Sequence, residues 1–255
     1  MPTYEIERFG AQPYLIIVDH ASNQIPAPYA NLGLPADILE THIAWDIGAK
    51  GVGRSLAKSL GGVYFGALFS RLLIDPNRDL KAHDVIPEVS DQIPIPGNEK
   101  LTTAGRTQRI ERFHNPYHAA LNQLLEDEFA SPPMVVSVHS FSPRLIGELT
   151  DRPWHIGLLW REDPASAQNV IAHLRRDTEY CIGDNEPYDA RVFNYTIDRH
   201  IGPRDLRHLT FEVRQDLINS PDGVSTISNV LLRAISDNAV TLEGPSDASS
   251  PDPRH

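Results

Sequence analysis

A chain of 255 residues can bury a hydrophobic core without disulfides, and its 40% apolar and 22% charged content is ordinary for a globular protein. The formal net charge of −11 argues against nucleic acid and anionic membranes as partners, and no apolar run reaches the roughly 18 residues of a membrane span. The single cysteine, Cys181, excludes an intramolecular disulfide and a cysteine-rich zinc site. Because the first residues also lack the pattern of a signal peptide, we expect a cytoplasmic protein.

Domain organisation follows from the distribution of apolar and polar residues. We expect residues 1–242 to form one domain and residues 243–255, which are rich in Ser, Pro, Asp and Gly, to form a disordered tail. Strand-like and helical segments alternate along the domain, which predicts an α/β sheet covered by helices on both faces. The sequence leaves the oligomeric state open.

Three predicted strands carry side chains suited to metal chemistry. The segment LIIVDHASN, residues 15–23, is an apolar strand that ends at Asp19 and His20, and MVVSVHS, residues 134–140, brings a second strand to His139. A third strand, Leu209–Val213, carries Glu212. Since ligands bind at the carboxyl ends of strands in open α/β sheets, these residues predict a hydrolytic metal site with a carboxylate base.

Each of these three residues has a simpler alternative role. A histidine at the end of a strand is often structural. The interpretation of His20 and His139 as metal ligands therefore rests on their occurrence together with Glu212. Glu212 lies on the strand face shared by Thr210 and Arg214, so an ion pair with Arg214 is its alternative.

Two helices are predicted between the first two strands of the chain. The first opens at Pro35, and the second runs from about Asp46 through Leu60 and ends at Gly61 and Gly62. Asp46 lies at the join, where it could cap the second helix or bind a metal.

The segment SRLLIDPNR follows a predicted strand at Val63–Leu68. Arg71, Asn77 and Arg78 offer planar or fixed donors that match a carboxylate, which predicts a loop that recognises an anion. The alternative is a structural ion pair that joins one of the arginines to Asp75.

The rest of the chain completes the alternation. Residues 79–101 are predicted as a loop, and helices at Thr103–Phe113 and Pro116–Phe129 are expected to be interrupted at residues 114–116, because a proline disfavours the α conformation of the residue before it. His114 and His118 are four residues apart, a spacing that could place two ligands on one helical face, but the interruption favours a structural role or a supporting role behind the ligands. Further elements are predicted at His155–Trp160 and Tyr180–Ile182 as strands and at Asp163–Arg176 and Val224–Ser236 as helices. The polar residues 183–203 are expected to wall a pocket.

Several segments together resemble the N-formylglutamate amidohydrolase family: VDHASNQIP, SRLLIDPNR, HNPYH, VSVHSFSP, DNEPYDARVFNYTIDRH and FEVRQDLI, which span residues 18–218. The resemblance implies a three-layer α/β/α sandwich with a mixed, mostly parallel sheet, the fold of zinc carboxypeptidases and aspartoacylases. It also implies a zinc-dependent amidohydrolase, with one metal ion per chain, that cleaves N-formylglutamate or a similar small N-acyl amino acid.

The resemblance assigns the metal site residue by residue. His20 and His139 match the two histidine ligands of the family, and Glu212 matches its catalytic base. Relatives carry a glutamate where this chain has Asn23, so the third ligand is either Asn23 or Asp46.

The same resemblance implies how substrate is held. Asn77 and Arg78 look like the pair that grips a substrate carboxylate, and Arg71 resembles the arginine that polarises the scissile carbonyl. Arg191, Arg199 and His200 are candidates for binding a second carboxylate. The alternatives are a deacylase or peptidase for another small N-acyl substrate, and a carboxylate-binding protein without activity, which Asn23 favours.

Overall fold

The computed structural model describes residues 1–161 and 164–242, the last five of these by backbone alone. The main sheet has seven strands: β1 (Tyr4–Arg8), β2 (Tyr14–Val18), β3 (Val63–Ala67), β6 (Met134–Phe141), β7 (Ile156–Leu159), β8 (Ile182–Asp184) and β9 (His208–Arg214). β4 (Val89–Ser90) and β5 (Ile93–Pro94) pair separately as a short hairpin. The helices are α1 (Ala36–Leu39), α2 (Ala49–Leu60), α3 (Thr103–Arg109), α4 (Asn115–Asp127), α5 (Pro164–Asp177), α6 (Tyr195–His200) and α7 (Pro221–Leu242).

The sheet is mixed and its centre is parallel. The strand order is β1-β3-β2-β6-β9-β7-β8, and β3, β2, β6 and β9 run parallel to one another. β1 is antiparallel to β3, and β7 is antiparallel to β9. The carboxyl ends of β2, β6 and β9 therefore meet at one edge of the sheet, which is where side chains from distant parts of the sequence come together.

Alternating side chains of the strands bury two separate cores. Ile16, Val18 and Val136 belong to the core shared with α2, α5 and α7. Leu15 and Ile17 point to the opposite face and belong to the core shared with α4 and the long loops. Burial on both faces explains why these strands are continuous apolar runs, and it confirms the predicted α/β fold with a mixed, mostly parallel sheet between helical layers.

Helix boundaries around the first two predicted helices differ from the prediction. The helix that opens at Pro35 is only one turn long, and α2 begins at Ala49, three residues after Asp46. Gly48 precedes α2 with a φ of +81°, a left-handed conformation that glycine adopts without strain. Gly61 ends α2 in the same conformation, as the sequence predicts.

The predicted interruption at residues 114–116 is wrong. A π-helical turn over Ile110–His114 joins α3 to α4, with Asn115 N donating to Ile110 O five residues earlier. Pro116 lies in the first turn of α4, where a missing N–H costs little. The chain therefore continues through the proline as a helix with a local widening.

Other differences lie at the margins of the sheet. The alternating segment Tyr4–Arg8 forms the edge strand β1, which was not predicted, and α6 occupies part of the predicted loop 183–203. β8 begins two residues later than expected. The first residue of the helix predicted from Asp163, and the predicted tail 243–255, lie outside the described residues. Within the described part of the chain, none of the helices combines the length and the apolar character that crossing a membrane would require.

Candidate active site

Strand ends bring the predicted metal and base residues into one cavity. His20 follows β2, His139 lies near the end of β6, and Glu212 lies in β9 directly opposite His139 in the strand register. The three side chains are buried and line a cavity of about 130 Å³. The parallel pairing of β6 with β9 thus fixes the separation between His139 and Glu212.

Asp46 joins the two histidines. His20 Nδ1 lies 3.2 Å and His139 Nδ1 2.9 Å from the same oxygen, Asp46 Oδ2. One donor atom from each of the three residues lies within 4.8 Å of the others, and all three residues are buried. Two imidazole nitrogens and one carboxylate oxygen are a donor set that zinc binds in catalytic sites, where a fourth position stays open.

The outward ring nitrogens of the two histidines also have partners. His20 Nε2 lies 2.7 Å from Asp75 Oδ1, and His139 Nε2 lies 3.2 Å from Ser137 Oγ and 3.7 Å from Asp19 Oδ2. Carboxylates behind the ring are the usual support of metal-binding histidines, because they fix the tautomer and the orientation of the ring. Both the residues that would bind a metal ion and the residues that contact the histidine rings from the other side therefore fit a metal site.

Asp19 is itself held in place. Its Oδ1 accepts hydrogen bonds from Tyr117 OH at 2.6 Å and from Thr196 Oγ1 at 2.9 Å. Neither Asp19 nor Asp75 stands out in the sequence as a partner of a histidine, because the contacts join residues far apart in the chain. The only signals were the position of Asp19 beside His20 and that of Asp75 within the polar loop.

The structure separates the two candidates for a third ligand. Asp46 is not the cap of α2, since Gly48 occupies that position, and its carboxylate faces the histidines instead. Asn23 donates from Nδ2 to the carbonyl oxygen of Leu39 at 3.0 Å. The expectation that Asn23 lies among the metal donors is therefore corrected, because its amide is used to hold the chain at the end of α1.

Charges within this group are strongly coupled. Burial raises the pKa of Asp46, but the charge of His20 and hydrogen bonds from both histidines outweigh it and hold that pKa well below its usual range. Burial lowers the pKa of His139, yet the hydrogen bond and charge of Asp46 raise it to about 9. A proton on His139 thus balances Asp46 at neutral pH, a role that a cation would take over.

Glu212 has the environment of a general base. Burial raises its pKa to about 7 against the lowering effect of positive charges on His139, His20 and Arg71. Its Oε2 has no hydrogen-bond partner among the residues that the structure describes. Arg214, the alternative partner, pairs with Asp216 at 2.8 Å. A buried glutamate with a free oxygen and a pKa near neutrality can accept and return a proton.

Arg71 lies at the border of the cavity. Its Nη2 donates to Asp75 Oδ2 at 2.8 Å and its Nη1 to Asp46 Oδ1 at 3.4 Å. The structural ion pair considered from the sequence is therefore present, and the guanidinium lines the cavity as well. The two carboxylates hold Arg71 in place beside the candidate metal site.

Asn77 and Arg78 also line the cavity, beside Phe193. Asn77 Oδ1 accepts a hydrogen bond from Thr196 N at 3.0 Å, which directs the amide group. Arg78 Nε donates to Asp84 at 2.9 Å, and its guanidinium lies 5.0 Å from the centre of the Phe193 ring. The predicted anion-recognition loop therefore faces the candidate metal site.

The residues proposed for a second carboxylate lie elsewhere. Arg191 is exposed and pairs with Asp189, and Arg199 is exposed and donates to Tyr195 OH at 2.7 Å. His200 is buried, with Nε2 2.9 Å from His118 Nδ1. The expectation that these three line the pocket is corrected, since the polar stretch reaches the cavity through other residues, Tyr188 and Phe193.

Two histidines of the helical layer contact the predicted anion-recognition loop, residues 70–78, on the side away from the cavity. His118 Nε2 lies 3.0 Å from Pro76 O, and His114 Nε2 lies 3.3 Å from Arg78 O. Burial lowers the pKa of His118 to about 2 and that of His200 to about 4, so both are neutral at physiological pH. Both His114 and His118 contact backbone carbonyls of residues 76–78, which fits the structural or supporting role predicted for them, although the helix is not interrupted between them.

Comparisons with known proteins identify the family and support the fold. The sequence model of the N-formylglutamate amidohydrolase family matches residues 12–219. Gene product Atu2144 from Agrobacterium tumefaciens has a similar structure, with a TM-score of 0.90 and 29% identity over 94% of this chain and 96% of that chain. N-formylglutamate amidohydrolase from Ralstonia eutropha JMP134 shares the fold, with a TM-score of 0.71 and 21% identity over 96% of this chain and 100% of that chain. Among curated proteins, none is significantly similar in sequence. The chain belongs to the N-formylglutamate amidohydrolase family.

Proposed function

We propose that the protein is a zinc-dependent amidohydrolase that cleaves N-formyl-L-glutamate, or a similar N-acyl amino acid, into the free amino acid and a carboxylate. We further propose that residues 1–242 form one catalytic domain. The observation that carries the proposal is the convergence of His20, Asp46 and His139 with Glu212 in one cavity. Family membership supports the reaction class. The four residues are also the metal donors and the base that hydrolysis of an amide needs.

His20, Asp46 and His139 would hold the metal ion, and zinc bound there would activate water and polarise the amide carbonyl. Glu212 accepts a proton from the attacking water as the water oxygen bonds to the amide carbon. Glu212 then gives that proton to the nitrogen as the carbon–nitrogen bond breaks. The products are a carboxylate from the acyl group and an amino acid with a free amine.

Arginines supply the remaining interactions in this proposal. Arg71, held by Asp75 and Asp46, donates to the carbonyl oxygen as negative charge develops on it. Asn77 and Arg78 bind the carboxylate of the amino acid, since a fixed amide and a guanidinium match its two oxygens. The position of Asp46 beside both histidines supports an active enzyme over a binding protein without activity, because Asp46 can supply the carboxylate that Asn23 lacks.

The test combines metal analysis with turnover. Purified protein should contain about one zinc ion per chain and should deformylate N-formyl-L-glutamate. His139→Ala should lose both, whereas His83→Ala, at an exposed histidine, should keep both. Zinc without turnover of any N-acyl amino acid would overturn the catalytic part of the proposal. Full activity in His139→Ala would overturn the assignment of the metal site.

A further inference from the structure

A second cavity of about 190 Å³ adjoins the candidate active site. It shares Asp46, Arg71, Ser140 and Tyr188 with the catalytic cavity, so the two spaces adjoin at these four residues. Nothing in the proposed reaction with a formyl substrate uses this space, because a formyl group carries only a hydrogen beyond its carbonyl.

The part of the second cavity that is not shared with the first contains an anchored carboxylate, Asp91. Asp91 lies at the turn between β4 and β5, and its side chain is 6% exposed. Asp91 Oδ2 lies 2.9 Å from His42 Nε2, and Oδ1 accepts a hydrogen bond from Ile146 N at 2.9 Å. Each carboxylate oxygen can accept a further hydrogen bond, so Asp91 can still bind a donor in the cavity.

The position of the second cavity relative to the reacting groups suggests what it binds. In the proposed function, Asn77 and Arg78 hold the amino-acid half of the substrate in the first cavity, and Arg71 faces the carbonyl. The substituent on the other side of that carbonyl is the acyl chain. An acyl chain that passes Arg71 enters the second cavity and approaches Asp91.

The volume of the second cavity limits the length of the acyl chain, and the charges around the cavity determine which end group is favoured. A cavity of about 150 Å³ is sufficient for benzene in a protein interior, so this one has room for a chain of several carbon atoms. The guanidinium of Arg71 is already paired with Asp75 and Asp46, whereas Asp91 contacts a histidine and a backbone amide. The wall therefore favours an acyl chain that ends in a hydrogen-bond donor, and it disfavours an anionic chain.

We propose that this second cavity is the acyl subsite of the enzyme, and that it selects N-acyl amino acids whose acyl chain carries an amino group. The proposal rests on the proposed function for the orientation of the substrate. It deepens that function from deformylation to the hydrolysis of larger, amine-bearing acyl groups.

Two substrates of equal size test the proposal. N-(4-aminobutanoyl)-L-glutamate and N-pentanoyl-L-glutamate have the same number of non-hydrogen atoms in the acyl group and differ in a terminal amine. We expect kcat/KM for the amino compound to be higher by about tenfold or more, because a charged donor meets a buried carboxylate. Asp91→Asn should bring the ratio of the two values close to unity.

Asp151→Asn is the matched control, since Asp151 is an exposed aspartate in the loop that also contains Ile146. This variant should keep the wild-type preference for the amino compound. Equal kcat/KM for the two compounds in the wild type, or a preference that survives in Asp91→Asn, would overturn the proposal. So would cleavage of N-formyl-L-glutamate without cleavage of either larger compound.

Binding separates this proposal from the proposed function. Calorimetric titration of the two compounds into Glu212→Gln measures binding to the subsite while turnover is strongly reduced, and the amino compound should bind about tenfold more tightly. If the wild type cleaves none of the three substrates, the proposed function fails, yet this binding difference and its loss in Asp91→Asn still support the subsite. Equal binding of the two compounds would reject it.

Discussion

Glu212 shows how burial and nearby charge tune one residue. Removal from water raises its pKa to about 7, while His139, His20 and Arg71 limit the rise. A base with a pKa near the working pH can both remove a proton from water and give it to a leaving amine. The same carboxylate on the protein surface would have a lower pKa and would be a weaker base toward the attacking water.

We predict that activity rises with pH through an acidic limb that belongs to Glu212. The ionised form is the base, so kcat/KM should fall as pH drops below the pKa, with a midpoint at or below about 7, because a bound cation lowers the value further. Glu212→Gln should reduce kcat by roughly 10²–10⁴-fold. A pH–rate profile of the wild type and a rate measurement on the variant at neutral pH check both statements.

Glu99→Gln is the control for this prediction, because Glu99 is exposed. Its profile should match that of the wild type. Retention of most of the activity in Glu212→Gln, with the acidic limb unchanged, would assign the base to another group.

A functional residue could be predicted from the sequence where a reactive side chain occupies a strand position at which an apolar residue is expected. His20, His139 and Glu212 stand at strand ends or within a buried strand, where an apolar residue would otherwise be expected, and the structure brings them together. Asp75 and Asp19 were not predictable as partners of the histidines, because their contacts depend on how the loops after β2 and β3 fold back. The sequence contains no local signal for such a contact.

At the scale of elements, the helical layer positions the predicted anion-recognition loop, residues 70–78. α3, the π-helical turn and α4 form one continuous helical segment, which places His114 and His118 on the same side with ring centres 4.3 Å apart. Both rings face backbone carbonyls of residues 76–78. The orientation of Asn77 and Arg78 therefore depends on a helix that does not itself line the cavity.

We predict that His118→Phe raises KM for substrates with a carboxylate by about tenfold, because it removes a hydrogen bond to Pro76 O, and that kcat changes less. His118→Gln keeps a donor for that carbonyl and should restore much of the affinity. Steady-state kinetics on the two variants check this split. An equal loss of kcat and affinity in both variants would instead indicate a general loss of structure.

Elements with a strong apolar pattern were predictable, and those set by tertiary contacts were not. β2, β3, β6 and β9 are apolar runs because both faces of the sheet are covered, and each was predicted within about two residues. β1 is a half-exposed edge strand that carries charged residues at Glu5, Glu7 and Arg8, and Arg8 pairs with Glu128. Local propensity alone predicts a break in the helix at Pro116, but the π-helical turn before it lets the helix continue.

At the scale of the whole molecule, the candidate metal ligands come from three distant segments. His20 follows β2, Asp46 precedes α2, and His139 lies in β6, more than 90 residues after Asp46. A metal ion bound to all three would link the loop before α2 to the centre of the sheet. Binding free energy would then add to the stability of the folded chain.

We predict that zinc raises the melting temperature of the protein. At a free concentration 100 times the Kd, one site adds about 2.7 kcal/mol, equivalent to a shift of about 5–10 °C for a chain of this size. Differential scanning fluorimetry with and without zinc, after treatment with a chelator, measures the shift. His139→Ala should lose it and His83→Ala should keep it, and an equal shift in both variants would show that zinc binds outside the proposed site.

The register between β6 and β9 determines whether a refolded chain is active. Side chains alternate along a strand, so a slip of β9 by one residue would turn Glu212 toward the helical core and bring Phe211 or Val213 into the cavity. Such a chain would retain most of its secondary structure and would lack the base. Activity per folded molecule would therefore report strand alignment after refolding, which circular dichroism cannot distinguish.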